Sequence, residues 1–90
     1  MSDNNLITDE LDLLNEVKEC VKAVGGSVIE CCYVLDKHII VAVDNPNEVE
    51  LEFLQDEIDS WGNIPIKYMY SAVFPSLEGN RIMCMKFEVI

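Results

Sequence analysis

Basic residues are scarce in this sequence of 90 residues. Six lysines and arginines stand against 17 aspartates and glutamates, and the formal net charge is −11. The six bases are also scattered, whereas contacts with phosphates need them in clusters, so we expect no direct binding to nucleic acid or to an anionic membrane. An acidic surplus of this size favours fast, salt-sensitive association with a positively charged surface of another molecule.

The sequence also lacks the motifs that usually carry catalysis. His38 is the single histidine, and no glycine-rich phosphate loop, nucleophile elbow or His-x-x-x-His pair occurs. The four cysteines show no C-x-x-C spacing, and the segment 44–48 lacks the glycine of a calcium loop and the spacing of its terminal glutamate. We therefore predict a non-catalytic protein with no catalytic residues, no bound metal and no cofactor.

No apolar run is long enough to span a bilayer, and the first five residues carry none of the basic charge that is typical of a secretory signal. These absences lead us to expect a cytoplasmic protein whose cysteines are free thiols. Hydrophobic residues nevertheless make up 50% of the chain and are spread along it. We predict a short flexible N-terminus over residues 1–7, followed by a single domain with one core over residues 8–90.

The hydrophobic pattern predicts two helices and four strands. Apolar residues recur every three or four positions from Thr8 to Val24, which indicates a helix, and Gly25-Gly26 is typical of its end. Asn45 and Pro46 have the form of a second helix start, with Glu48 placed to complete a capping box. The predicted elements are a helix over Thr8–Val24, strands over Ser27–Leu35 and His38–Val43 joined by a turn at Asp36-Lys37, a helix from Asn45 to Trp61, and strands over Ile64–Phe74 and Arg81–Ile90.

This α-β-β-α-β-β order predicts an α+β fold in which both helices cover one face of a four-stranded antiparallel sheet. The two halves also share a faint likeness, because Val24–Ile29 and Trp61–Ile66 both lead from a helix through glycine into a strand. An internal αββ duplication is one interpretation of this likeness. The other is that two helix–glycine–strand junctions arose independently.

Acidic side chains fall on one side of each predicted helix. At 100° per residue, four carboxylates follow one another along about 15 Å of each helix, a looser version of the phosphate spacing on a nucleic-acid strand. The alternative interpretation is that both rows are solvated helix faces with no role in binding. The row on the first helix is Asp9, Asp12, Glu16 and Glu19, and the row on the second is Glu48, Glu52, Asp56 and Asp59.

Val49 and Phe53 lie beside the second acidic row and away from the predicted core stripe of that helix. If the helix packs through the stripe, both side chains are exposed, and an exposed phenylalanine within a charged rim has the form of an interface anchor. If the buried arc is wider, Phe53 belongs to the core instead. The predicted core stripe consists of Leu51, Leu54, Ile58 and Trp61.

Two alternatives use the predicted sheet. A cleft between sheet and helices would bind a small ligand, and the residues expected to line it are Tyr68, Tyr70, Met83 and Met85. In this interpretation Tyr68 and Tyr70 share one face of their strand. A sheet face left open by the helices would instead pair with a second copy of the chain as a homodimer.

Taken together, the patterns favour a non-catalytic acidic inhibitor that occupies a positively charged surface of another protein. A nuclease or other nucleic-acid-handling enzyme is the partner expected from the phosphate-like spacing. By class analogy only, size and charge are those of phage-encoded anti-defence proteins or toxin-neutralising immunity proteins. The acidic rows would steer the encounter, and Phe53 with Val49 would slow dissociation.

Overall fold

The computed structural model describes residues 10–35, 37–62, 64–76 and 78–90. Within these ranges the order α-β-β-α-β-β is confirmed. The predicted flexible N-terminus, Asp9, Asp36 of the first turn and Asn63 of the second junction lie outside the described residues. The elements are α1 (Glu10–Ala23), β1 (Val28–Val34), β2 (His38–Val43), two 3-10 turns (Pro46–Glu48 and Leu51–Phe53), α2 (Leu54–Trp61), β3 (Ile66–Pro75) and β4 (Arg81–Val89).

The four strands form one antiparallel sheet in the order β1-β2-β4-β3, as predicted for the fold class. Alternate residues of the two central strands point at the helices, and these residues are buried with the apolar faces of α1 and α2 in a single core. Both helices therefore cover the same face of the sheet. The fully buried side chains of this core include Val17, Val21, Ile39, Val41, Val43, Leu54, Ile58, Met85 and Phe87.

The strand order bears on the predicted duplication. Each αββ half contributes one hairpin, and the second strands of the two hairpins, β2 and β4, pair in the middle of the sheet. This arrangement relates the halves by an approximate twofold axis between β2 and β4. The arrangement is compatible with duplication, which stays a prediction because the sequence likeness rests on few positions.

Two consecutive glycines end α1, and each has a steric reason. Gly25 has a φ of +103°, and a Cβ there would collide with the carbonyl oxygen of Glu48. A Cβ on Gly26 would lie 2.6 Å from Cγ1 of Val21. A side chain at position 25 therefore has no room beside the first 3-10 turn, and one at position 26 has none beside Val21 and Val43.

The second helix does not run unbroken from Asn45, and the prediction of its start is wrong. The helical conformation stops at Val49, whose backbone is extended with φ −89° and ψ 124°. The backbone N–H of Glu50 donates to the carbonyl oxygen of Val24 at 2.9 Å instead of to a carbonyl of its own segment. A tertiary contact with the end of α1 therefore takes the hydrogen bond that would have continued the helix.

Asn45 also does not cap a helix with its side chain, so the predicted capping box is wrong. Its Oδ1 accepts the backbone N–H of Ser27 at 2.7 Å, and its Nδ2 donates to the carbonyl oxygen of Gly25 at 2.8 Å. The same Nδ2 lies 2.9 Å from Oε1 of Glu48. The Asn45 side chain therefore joins the start of β1 to the end of β2.

Both edge strands are irregular. The pairing of β3 with β4 shifts by one residue between Tyr68 and Tyr70, and the pairing of β1 with β2 shifts between Val28 and Glu30. A bulge of this kind reverses which face the following side chains point to. The prediction that Tyr68 and Tyr70 share a face is therefore wrong, because Tyr68 pairs with Phe87 on the helix side and Tyr70 with Lys86 on the other.

Within the described part of the chain, neither helix combines the length and the apolar character that are needed to cross a membrane.

Candidate protein-binding surface

Three of the four residues of the predicted acidic row on the second helix lie along one side of it in the structure. Leu51–Phe53 and α2 follow each other without a gap, so that Glu52, Asp56 and Asp59, spaced four and three residues apart, lie along one side. All three are exposed. We call these three residues, together with Phe53, the α2 acidic surface.

Phe53 is the apolar member of this surface. Its side chain is 49% exposed, which decides between the two interpretations of the sequence: it does not belong to the core. The side chains that face the core from the same segment are Leu54 and Ile58, which are fully buried. A half-exposed phenylalanine surrounded by carboxylates has the composition of an interface centre with a polar rim.

Glu48 and Val49 are not part of this surface. Glu48 belongs to the first 3-10 turn, where its carboxylate contacts Asn45. Val49 is half-buried and packs against the core, so the expectation that it is exposed beside Phe53 is wrong. The reason for both corrections is the break at Val49, which separates these residues from the regular helix.

Two side chains at opposite ends of α2, Gln55 and Trp61, donate hydrogen bonds to acidic side chains of the same helix. Nε2 of Gln55 donates to Oδ1 of Asp59 at 2.9 Å, and its Oε1 accepts the backbone N–H of Tyr68 at 2.8 Å. Nε1 of Trp61 donates to Oε2 of Glu57 at 3.1 Å. Trp61 is 38% exposed and lies at the margin of the predicted core stripe rather than within it. The bond between Gln55 and Tyr68 joins α2 to β3, and the other two lie within α2 and hold the carboxylates of Asp59 and Glu57.

The α1 row is less open to a partner. Asp12 and Glu19 are exposed and Glu16 is half-buried, while Asp9 lies outside the described residues. Oε2 of Glu19 lies 3.2 Å from Nζ of Lys22, which partly neutralises that end of the row. Among its described residues, the α1 row therefore offers a weaker negative surface than the α2 acidic surface.

The α2 acidic surface is not neutralised in this way. No lysine or arginine occurs between positions 38 and 66. Within the ranges that the structure describes, neither Glu52, Asp56 nor Asp59 forms an ion pair with a base. Carboxylates of like sign on neighbouring turns repel one another by a few tenths of a kcal/mol per pair, so this surface has a small stability cost that a basic partner would relieve.

The four residues predicted to line a ligand cleft are not brought together. Met83 and Met85 are buried in the core at 3% and 0% exposure, and the ring of Tyr68 packs 5.7 Å from the ring of Phe87. Tyr70 lies on the opposite face of the sheet, where Nζ of Lys86 is 5.7 Å from its ring centre. A ligand contacting Met83 and Met85 would have to open the core.

Two surface depressions lie elsewhere, and the sequence predicted the lining residues of neither, although it did single out the sheet face left open by the helices. A polar one of about 380 Å³ is lined by the turn at residues 44–48 and by Gly79, Asn80 and Arg81. An apolar one of about 300 Å³ lies on the sheet face away from the helices and is lined by Ile29, Glu30, Cys32, Ile40, Ala42, Ile82 and Cys84. The unbroken apolar run from Ile39 to Val43 was the signal for the second, because successive side chains of a strand point to opposite faces and Ile40 therefore lies on the uncovered face.

The cysteine side chains differ in their surroundings. Burial raises the pKa of Cys20 to about 12, and nearby carboxylates, foremost Glu57, add to the effect. Burial likewise raises the pKa of Cys31 to about 11, against an opposing contribution from Lys18. Burial also raises the pKa of Cys84. These three thiols are protonated at neutral pH, and the described residues contain no group of three or more histidine, cysteine or acidic side chains placed to hold a metal ion.

Comparison with known proteins gives no relative from which a function could be transferred: no protein-family model, curated protein or solved structure matches this chain.

Proposed function

We propose that this protein is a non-catalytic, stoichiometric inhibitor that binds a positively charged surface of another protein through the α2 acidic surface. The partner is a protein that handles nucleic acid, because a row of unpaired carboxylates competes best for a site built to bind phosphates. The protein would act by occupying that site.

The exposure of Phe53 carries the proposal. Exposing half of a phenylalanine to water is unfavourable, and on this side of α2 the ring is flanked by carboxylates that no base of the described chain pairs with. A partner that covers the ring and supplies lysine or arginine would remove both costs at once. Aromatic side chains at the centre of an interface commonly contribute 2 kcal/mol or more, and the charged rim mainly sets the rate of encounter.

The test is capture of partners from a lysate of the source cells on immobilised full-length protein, at low and at high salt. We expect a basic protein to be captured at low salt, and duplex DNA or RNA to compete with the wild type for it. Phe53→Ala should weaken binding of that partner by about 30-fold, which corresponds to about 2 kcal/mol. Glu52→Gln with Asp56→Asn should slow association and flatten the salt dependence.

Each variant has a matched control. Phe74→Ala removes a phenylalanine of similar exposure, 52%, from the opposite side of the molecule. Asp44→Asn with Glu78→Gln makes the same change of net charge at two exposed positions outside the α2 acidic surface. Both controls should bind like the wild type. Equal losses in test and control variants, or a partner that nucleic acid does not displace, would contradict the proposal.

A further inference from the structure

The face of the sheet that the helices leave uncovered is largely apolar. We call it the open sheet face: its side chains come from alternate residues of all four strands, opposite in direction to those of the core. Ile40, Ala42, Ile82 and Cys84 occupy the two central strands and are only partly buried. At the β3 edge, Tyr70 and Phe74 are 54% and 52% exposed. A continuous apolar area of this kind on a monomer usually marks a contact with another molecule.

The charge of this face differs from that of the rest of the molecule. The chain carries a formal net charge of −11, yet the open sheet face has two acids, Glu30 and Glu88, and two bases, Lys67 and Lys86. The face is therefore close to neutral. Two copies can approach each other through it without bringing their acidic helices together, whereas a strongly basic partner gains nothing from this side.

The shape of the open sheet face is complementary to that of a second copy, because it has a depression towards one edge and exposed rings at the other. The apolar depression of about 300 Å³ lies between β1, β2 and β4, towards one edge of the sheet. The protruding rings of Tyr70 and Phe74 lie on β3, at the other edge. A twofold axis parallel to the strands, passing between β2 and β4, exchanges the two edges and places the β3 rings of each copy over the β1 side of the other.

From this geometry we infer that two copies of the chain associate face to face through their open sheet faces. Tyr70 and Phe74 of each copy cover the depression of the other, which contains Cys32 and Cys84. The two sheets then pack with nearly aligned strands, as in other face-to-face sheet pairs, and the contact is the same on both copies. The α2 acidic surfaces lie on the two outer sides of the dimer, free to bind.

The area available makes this a weak, reversible dimer. Four strands spaced about 4.8 Å apart, each with about seven residues rising about 3.4 Å, give a face of roughly 450 Å² before the relief of the side chains is counted. Two such faces bury about 900 Å² or somewhat more, which is the size of transient rather than permanent interfaces. Repulsion between two acidic chains weakens the dimer further at low salt.

The experiment is sedimentation of the full chain from low micromolar to near-millimolar concentration, at low and high salt. We expect the mass to rise from 10.2 kDa towards twice that value with concentration. Added salt should strengthen the dimer, because it screens the repulsion between copies. Labelling of the exposed Cys32 thiol should slow as the dimer forms, because the second copy covers it.

The decisive variants are two exposed phenylalanines on opposite sides of the molecule. Phe74→Lys should abolish dimerisation and make Cys32 labelling independent of concentration, while Phe53→Lys should leave both unchanged; circular dichroism verifies that each variant is folded. A chain that is monomeric at every concentration overturns the inference and leaves the open sheet face to a different partner. A dimer that survives Phe74→Lys, or one lost with Phe53→Lys, also overturns it. Because salt strengthens this contact and weakens binding to a basic partner, failure here is distinguishable from failure of the proposed function.

Discussion

Replacing Asn45 by alanine tests whether its side chain joins the chain before β1 to the chain after β2. The substitution leaves the N–H of Ser27 and the carbonyl of Gly25 without the partners that now lie at 2.7 and 2.8 Å. Each such hydrogen bond contributes about 0.5 to 1.5 kcal/mol, so the two together stabilise the fold by about 2 kcal/mol. The contact with Glu48 is solvent-exposed and adds little.

The assay is thermal and urea unfolding followed by circular dichroism. For a domain of this size, about 2 kcal/mol lowers the midpoint temperature by about 8 to 16 °C. Asn47→Ala is the matched control, because Asn47 is exposed and lies in the same turn. Its cost should stay within about 0.5 kcal/mol.

Asn45→Asp separates the two roles of the amide. An aspartate keeps an acceptor for the N–H of Ser27, loses both donated hydrogen bonds and adds a negative charge beside Glu48. At neutral pH it should therefore destabilise at least as much as alanine does. Should Asn45→Ala unfold at the same temperature as Asn47→Ala, the bridging role assigned to Asn45 is refuted.

Two further predictions concern glycine and cysteine. Gly25→Ala should destabilise the fold more than Gly62→Ala, because both glycines have positive φ but only a Cβ at Gly25 meets backbone; about 1 to 2 kcal/mol is expected at Gly62, and unfolding curves of the two variants give the comparison. Raising the pH from about 8 to about 10 should cost the wild type about 1.4 kcal/mol more than it costs Cys20→Ala. The reason is that the unfolded thiol loses its proton near the ordinary pKa of 9.0 while the folded one, with a pKa of about 12, keeps it. This stability is fully present below the ordinary pKa of 9.0 and is lost progressively as the pH rises towards the folded pKa of about 12. Equal pH profiles for wild type and Cys20→Ala would contradict the assignment.

The order of the elements was predictable because it follows from local patterns. The three- and four-residue spacing of apolar side chains in α1, and the large apolar residues at every second position of β4 from Met83 to Val89, indicate which side of each element faces the core. The glycine at the end of α1 was readable for the same reason, since positive φ at Gly25 is a local requirement. The sequence left two interpretations of Phe53 open, exposed anchor or core residue, and the structure shows the side chain to be 49% exposed.

The predictions that were wrong have a different origin: they fail where segments far apart in sequence contact each other. The second helix breaks because Glu50 donates its backbone N–H to the carbonyl oxygen of Val24, the residue that follows α1. Tyr68 and Tyr70 point to opposite faces of the sheet because β3 has one extra residue between them relative to β4. Neither event leaves a mark in the local pattern, since Glu50 is a good helix former and the run around Met69 alternates as a regular strand would.

The irregularities in β1 and β3 also limit how the molecule grows. Both strands lie at the borders of the sheet, where unsatisfied backbone groups could recruit a strand from a neighbouring chain. A residue inserted into each border strand disturbs the repeat of donors and acceptors that an incoming strand would have to match. Ribbon-like polymerisation through either margin of the sheet is thereby disfavoured.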